Sequence, residues 1–207
     1  MTEASRAAAA WGMRGDYTKE LRTREDFIRY SCHLILDPNT ANEDIRLSER
    51  NREVANVEVI QSYPDHPERF DYWPQVLCRQ GLSGRCYWEA EWGGDNEVSI
   101  AVSYKGIRRK GENKDRVLGC NEKSWSLDCS SSCYFFSHNK RIAKIPVPSS
   151  SRIGVYLDHR AGTLSFYSVS DTMTLLHRVQ TTFTQPLYPG FGVGVGASVK
   201  LCDLGTR

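Results

Sequence analysis

Two spacings of apolar residues divide the chain. From Tyr17 to Cys32 apolar residues recur at roughly helical spacing among Lys, Arg and Glu, which predicts one amphipathic helix. After Pro38 the apolar period changes to two, and short runs rich in β-branched and aromatic residues end at Gly, Pro, Asn, Asp or Ser. This second pattern predicts a dozen short strands, at 45–47, 53–59, 75–78, 85–92, 97–104, 124–129, 133–137, 152–158, 163–169, 174–179, 188–195 and 198–202.

These strands predict an all-β fold, an antiparallel two-sheet β-sandwich with a short N-terminal helix, because no helices lie between them to make parallel crossovers. Gly162 predicts a tight hairpin with a positive φ. The glycines of 190–196 precede another strand rather than a helix, so they indicate a bent strand with close backbone approach and not a phosphate-binding loop. We expect the core to contain Trp88, Trp92, Trp125, Leu157 and Phe166.

Charge and composition argue against nucleic-acid binding and against membrane insertion. The 207 residues include 27 Lys and Arg against 25 Asp and Glu, and the net charge of +2 gives no overall attraction to nucleic acid. We therefore expect no nucleic-acid binding. No run approaches the ~20 apolar residues that cross a bilayer, so we also expect no membrane insertion by this chain alone. Residues 1–13, which include four consecutive alanines, resemble a vector or linker segment.

The cysteines favour a reducing compartment. Their number, seven, is odd, and the chain is too long to need disulfides for its stability, so we expect a cytoplasmic location. A disulfide between Cys129 and Cys133 remains open.

No arrangement of residues typical of catalysis is present. The sequence contains no His-Glu-x-x-His, Gly-x-Ser-x-Gly or Cys-x-x-Cys motif, and its five histidines are scattered singly. We therefore expect no enzymatic activity, no cofactor and no metal site.

Three segments could carry binding. The segment 104–116 holds six basic and two acidic residues, and is either a solvated hairpin tip or one wall of a binding surface. The segment 61–74, with three prolines and several aromatics, is either a binding loop or a rigid cover over the sandwich edge. Strand alternation places Tyr134 and Phe136 on one face and Phe135 on the other, so one side packs in the core and the other is satellite packing or an exposed anchor.

Several strand blocks resemble the signature blocks of the PRY-SPRY family, in the family's order and spacing. These blocks are Leu36-Asp37-Pro38-Asn39-Thr40-Ala41, Leu82-Ser83-Gly84-Arg85-Cys86-Tyr87-Trp88-Glu89, Trp125-Ser126-Leu127, Gly154-Val155-Tyr156-Leu157-Asp158, Gly162-Thr163-Leu164-Ser165-Phe166-Tyr167 and Pro186-Leu187-Tyr188-Pro189-Gly190-Phe191. The resemblance covers 32–204, with a PRY part at about 32–85 and a SPRY part at about 86–204, and makes 14–31 a connector helix.

The resemblance implies a bent, concanavalin-like sandwich that binds a protein or peptide through variable loops at one end and catalyses nothing. Such domains occur in tripartite-motif ubiquitin ligases, NOD-like receptors, butyrophilins and stonustoxin-type toxins, and the strand blocks look closest to fish versions. We expect the chain to be part of a longer parent protein, as the C-terminal recognition domain of an innate-immune or ubiquitin-ligase-type protein. The alternative is the C-terminal domain of a secreted, stonustoxin-like pore-forming toxin.

The resemblance also points to a binding surface. In an antibody-binding member an acidic residue lines the pocket, and Ser99 occupies the matching place; two loop tryptophans correspond to Asp128 and Ser130, and a phenylalanine corresponds to Val195. These departures make antibody constant-region binding unexpected. With the three loop segments, the expected partner contacts are Tyr63, His66, Arg69, Ser99, Arg108, Arg109, Lys110, Asp128, Ser130, Tyr134, Phe135, Phe136 and Val195.

Overall fold

The computed structural model describes residues 20–205, which leaves the expected vector or linker segment at 1–13 outside the described part. Within these residues one short α-helix is followed by thirteen strands, and a 3-10 helix at Lys114–Arg116 lies between the fifth and the sixth strand. They are α1 (Arg24–Ile28), β1 (Ile45–Ser48), β2 (Glu53–Asn56), β3 (Gln75–Leu77), β4 (Arg85–Gly94), β5 (Val98–Tyr104), β6 (Ser124–Cys129), β7 (Tyr134–His138), β8 (Arg141–Ile145), β9 (Arg152–Asp158), β10 (Thr163–Val169), β11 (Met173–Gln180), β12 (Leu187–Val193) and β13 (Ala197–Leu201).

The strands form two sheets, and this confirms the predicted two-sheet sandwich. The seven-stranded sheet has the order β1-β2-β13-β4-β9-β10-β11, and the six-stranded sheet has the order β3-β12-β5-β6-β7-β8. Neighbouring strands pair antiparallel throughout both sheets. Apolar residues from both sheets make one principal core, and all five residues predicted for it are buried there: Trp88, Trp92, Trp125, Leu157 and Phe166.

The sequence pattern missed one strand and extended another too far. β8 lies at the edge of its sheet and exposes four of its five residues, so no alternation of buried and exposed positions marks it. The strand predicted to end at Val59 ends at Asn56, whose side-chain amide donates to the Val193 carbonyl at 3.0 Å, and Glu58 then takes a positive φ. At Gly162 the φ is +73°, which confirms the predicted hairpin glycine.

The N-terminal helix is shorter than predicted. The first three positions of the range Tyr17–Cys32 lie outside the described residues, and within the remainder only Arg24–Ile28 is helical. Thr23 caps the first turn, which fixes the start of the helix. The helix ends because Ser31 bridges to Tyr87 of β4, and a strand-like bridge is incompatible with a continuing helix.

A buried carboxylate anchors α1 to the seven-stranded sheet. Glu89 of β4 is fully buried, and Arg24 of α1 binds it through two nitrogens at 2.9 and 3.1 Å. Arg152 of β9 and the Tyr87 hydroxyl each donate to the same carboxylate at 2.7 Å. Burial alone would raise the pKa of Glu89, but these hydrogen bonds outweigh it and lower that pKa.

The cysteine pair left open by the sequence is not the pair that forms. Cys32 and Cys86 are joined in a disulfide with their Cα atoms 5.8 Å apart, whereas Cys129 and Cys133 are free. Cys129 lies opposite Tyr134 in the β6–β7 pair, and both point into the core. Cys133 precedes β7 in the turn, where its Sγ lies 3.7 Å from the Ser130 hydroxyl and 3.6 Å from the Ser132 hydroxyl.

Replacing the buried carboxylate with an amide tests this anchor. Glu89→Gln should lower the free energy of unfolding by about 2 kcal/mol, less than the ~3–5 kcal/mol of a fully buried pair, because both arginine side chains are partly exposed and regain water. Chemical denaturation measures the change, with the exposed Glu91→Gln on the same strand as the matched control.

The pH dependence of the same variant provides a second readout. Because the folded-state pKa of Glu89 lies below its ordinary value of 4.5, its contribution is complete above that pH and is lost as the pH falls through the lowered pKa. Glu89→Gln should therefore remove part of the acid sensitivity. Equal stability of the Glu89→Gln and Glu91→Gln proteins would contradict this account.

Candidate functional site

One row of residues crosses the outer face of the six-stranded sheet. The pairing register places its members directly opposite one another from strand to strand. Because side chains alternate between the two faces of a strand, all of them share the face that points away from the core. We call this set the outer-face row: Gln75 (β3), Gly192 (β12), Ser99 (β5), Asp128 (β6), Phe135 (β7) and Lys144 (β8).

A long loop forms a wall along one side of this row. The segment 105–123, which connects β5 to β6, crosses the same face, and its Leu118 packs with Leu77 and Ala101. A Cβ atom added at Gly119 would lie 2.8 Å from the Ser137 Cβ, so the loop backbone sits directly on the sheet. The row therefore runs alongside the wall, and we refer to this strip of sheet surface beside the loop as the groove.

Short connections meet at the end of the sandwich nearest the row. The Asn96 amide in the β4–β5 connection donates to the Val195 carbonyl at 2.5 Å. In the β8–β9 connection, the Ser149 hydroxyl donates to the Ser131 carbonyl of the β6–β7 turn at 3.1 Å. The Val195 side chain is 47% exposed. At this end the β4–β5 connection therefore contacts the loop of Val195, and the β8–β9 connection contacts the turn of Ser130.

Asp128 places a carboxylate next to Ser99. In the sequence analysis Ser99 stands where an antibody-binding member of the family has an acidic residue. The Asp128 Oδ1 accepts hydrogen bonds from the Ser99 hydroxyl at 2.9 Å and from the Ser126 hydroxyl at 2.7 Å. Burial raises the pKa of Asp128, and the three serine hydroxyls around it only partly offset that effect. A carboxylate thus lies beside Ser99 on the adjacent strand, and the pairing register, which the sequence alone does not show, places it there.

The segment that holds Tyr63, His66 and Arg69 is mainly a structural cover. Arg69 is buried and donates to the carbonyls of Pro38 and Ala41, each at 2.7 Å, so its expected role as a partner contact is wrong. The Tyr63 hydroxyl donates to a β1 carbonyl at 2.8 Å, and the ring lies under the Arg69 guanidinium. His66 keeps partial exposure.

The basic loop is tied to that cover. Arg109 is half-buried, donates to the Glu68 carbonyl at 2.6 Å and lies over a phenylalanine ring, and burial lowers its pKa. Lys110 donates to the His66 carbonyl at 2.7 Å. Arg108 is exposed and makes no hydrogen bond or ion pair within residues 20–205. Of the three, Arg108 is the one whose side chain remains available to a partner.

The three consecutive aromatics divide as the alternation predicts. Tyr134 is fully buried in the core, and Phe136 is buried and stacks on His177 with 3.9 Å between ring centroids. The expectation that these two residues contact a partner is therefore wrong, because neither side chain is accessible. Both point inward because the pairing of β6 with β7 places them beside Cys129 and Leu127. Phe135 points outward and is partly buried.

A separate cavity of about 900 Å³ lies between α1 and the segment after β13. Cys32, Trp88 and Arg52 line it, and none of the expected partner contacts does. The Arg52 guanidinium is already engaged by backbone carbonyls, including those of Leu34 at 2.8 Å and Cys202 at 3.0 Å. This arrangement favours a structural role for the arginine.

Within the described part of the chain, no three or more histidine, cysteine or acidic side chains are grouped so as to hold a metal ion. No helix among the same residues has the length and apolar character required to span a bilayer.

Comparison with known proteins identifies the fold. The sequence model of the SPRY-associated domain PRY matches residues 34–82, and that of the SPRY domain matches residues 85–205. Stonustoxin subunit beta of Synanceia horrida is 43% identical over 192 residues, which cover 88% of this chain and 27% of the toxin subunit. Tripartite motif-containing protein 16 of Mus musculus is 36% identical over 190 residues, which cover 90% of this chain and 34% of that protein.

Solved structures agree with this assignment. The stonustoxin structure superposes with a TM-score of 0.79 at 42% identity, covering 88% of this chain and 29% of that one. The crystal structure of the TRIM65 PSpry domain superposes with a TM-score of 0.79 at 30% identity, covering 87% of this chain and 94% of that one. The chain spans about a third or less of the length of these two curated relatives. SPRY domains are in general non-catalytic protein-interaction modules. The chain belongs to the PRY-SPRY family.

Proposed function

We propose that this domain binds a protein or peptide partner in the groove of the outer-face row and changes no covalent bond in it. The observation that carries the proposal is the row itself. It places a partly buried aromatic, a carboxylate and a lysine side by side on the outer sheet face, Phe135, Asp128 and Lys144. Aromatic anchors surrounded by polar groups are characteristic of protein-recognition surfaces.

The loops around the groove support the same proposal because internal hydrogen bonds hold them in place. Arg109 fixes the basic loop to the cover, and Arg69 fixes the cover to the segment before β1, in both cases through backbone carbonyls. A surface whose loops are already ordered loses little conformational entropy on binding. Different partners can be recognised through the exposed positions of these loops, such as Arg108, while the framework stays unchanged.

For the parent protein, we propose a tripartite-motif ubiquitin ligase or a NOD-like receptor that acts in innate immunity in the cytoplasm, with this domain as its recognition part. The tripartite-motif relatives and the structural likeness to the TRIM65 PSpry domain support this proposal. The groove would then select what the rest of the parent protein acts on.

A second candidate is a domain of a secreted, stonustoxin-like pore-forming toxin. The disulfide between Cys32 and Cys86 favours it, because disulfides persist in oxidising compartments and are rare in the cytosol. The 43% identity to stonustoxin subunit beta points the same way. Partner binding by the groove is compatible with either parent.

A binding experiment tests the groove. Peptides are selected on the immobilised 207-residue chain from a phage-displayed random library, and the affinity of the best peptide is then measured by calorimetry for variants. Phe135→Ala should weaken binding by about tenfold or more, as expected for an aromatic anchor. Arg108→Glu should also change the affinity, without loss of stability, because its side chain makes no contact that holds the fold.

The matched control is Leu175→Ala, which removes an exposed apolar side chain from the other sheet. It should leave the affinity unchanged. If Leu175→Ala weakens binding as much as Phe135→Ala does, or if Phe135→Ala has no effect, the groove is not the binding surface.

A mass measurement separates the two parent classes. Protein isolated from its native source without reductant is alkylated, digested and analysed for a Cys32–Cys86 cross-linked peptide. The cytoplasmic proposal predicts that both cysteines are alkylated, and the secreted candidate predicts the cross-linked peptide. As a stability readout, reduction of the disulfide should lower the free energy of unfolding by about 4 kcal/mol, given the 54 residues that separate the two cysteines.

A further inference from the structure

Asp128 is a partly buried carboxylate whose partners are all uncharged. Its Oδ1 accepts from Ser99 and Ser126, and its Oδ2 accepts from the Ser137 hydroxyl at 2.8 Å. No lysine, arginine or histidine nitrogen within residues 20–205 forms an ion pair with it. The hydroxyls orient the carboxylate without neutralising it, although carboxylates removed from water are normally paired with a cation.

The charged groups around Asp128 do not supply that cation. Glu97, in the β4–β5 connection, has the same sign, and burial together with the charge of Asp128 raises the pKa of Glu97. Lys144 is the basic member of the outer-face row but lies two strands away, on β8. In the wall, Arg116 is already paired with Asp115 at 2.5 Å.

The row offers a suitable surface beside this carboxylate. On one side of Asp128 the row continues through Ser99, which has a small side chain, and Gly192, which has none. On the other side Phe135 stands directly opposite Asp128, where cross-strand Cβ atoms are about 5 Å apart. The face of an aromatic ring attracts cations. A carboxylate also offers about four acceptor sites, of which three are used here.

We propose that the groove accepts an arginine or lysine side chain presented by the protein partner. Asp128 provides the counter-ion, and Phe135 provides the surface along which the cationic side chain packs. The three serines hold the carboxylate in a fixed orientation before binding, so little reorganisation is needed. This inference rests on the proposed function and adds to it the chemical class of residue that the groove selects.

The first test concerns stability. Because burial raises the folded-state pKa of Asp128 above its ordinary value of 3.8, its ionised form costs stability at neutral pH, and the cost diminishes as the pH falls toward 3.8. Asp128→Asn, which keeps an acceptor for the serines without the charge, should raise the thermal midpoint at neutral pH, and the gain should shrink on acidification. Asp171→Asn, in an exposed turn of the other sheet, should change nothing.

A lower midpoint for Asp128→Asn at neutral pH would mean that the fold itself requires the charge. That result would contradict the view that the charge is held for a partner.

The second test uses peptide selection on three immobilised proteins, the wild-type chain, Asp128→Asn and Asp171→Asn. Peptides enriched on the wild type and on Asp171→Asn should share an arginine or lysine at one position. On Asp128→Asn this preference should disappear, and the best wild-type peptide should bind about tenfold or more weakly, as expected for the loss of a charge-assisted hydrogen bond. Replacing the basic residue of the peptide with citrulline or norleucine should weaken binding to wild type similarly.

The outcomes separate the two proposals. Peptides that bind the wild type through Phe135 but share no basic residue, or that bind Asp128→Asn equally well, would overturn this inference and leave the proposed function intact. Failure of any peptide to enrich on both the wild type and Asp171→Asn would count against the proposed function and therefore against this inference as well.

Discussion

The pairing register between β5 and β6 determines which residues meet in the groove. In this register Ser99 lies opposite Asp128, while Ile100 lies opposite Leu127 in the core. A shift of one strand by one residue would turn a set of apolar side chains to the solvent. Burial of the inward-facing residues therefore fixes the positions of the polar residues on the outer face. The composition of the outer-face row therefore follows from the core that lies behind it.

The two outer faces of the sandwich have different roles. The outer face of the seven-stranded sheet buries Glu89 and uses it to hold α1, so the carboxylate there is neutralised by Arg24 and Arg152. On the outer face of the six-stranded sheet, Asp128 is held by serines and keeps its charge uncompensated. The first carboxylate holds α1 to the sheet, and the second is the one for which we propose a role in recognition.

Most of the fold could be predicted from the sequence because alternation reports burial directly. Prediction from alternation failed for the edge strand β8, because four of its five residues are exposed and no alternation marks it. It also gave too long a helix α1, because a cap at Thr23 and a bridge at Ser31 limit that helix. The site was less predictable. Arg69 looks like a surface residue in the sequence, and only the carbonyls around it show that it is structural. Asp128 stands 29 residues from Ser99, and strand pairing alone brings them together.

The most direct measurement of the central claim is a map of backbone amide NMR shifts during titration of the isotopically labelled chain with a peptide selected on it. The account predicts the largest changes at Ser99, Asp128 and Phe135 and at their neighbours on β5, β6 and β7, with little change in β9–β11. Changes concentrated on the seven-stranded sheet or around α1, with Ser99, Asp128 and Phe135 unaffected, would contradict it.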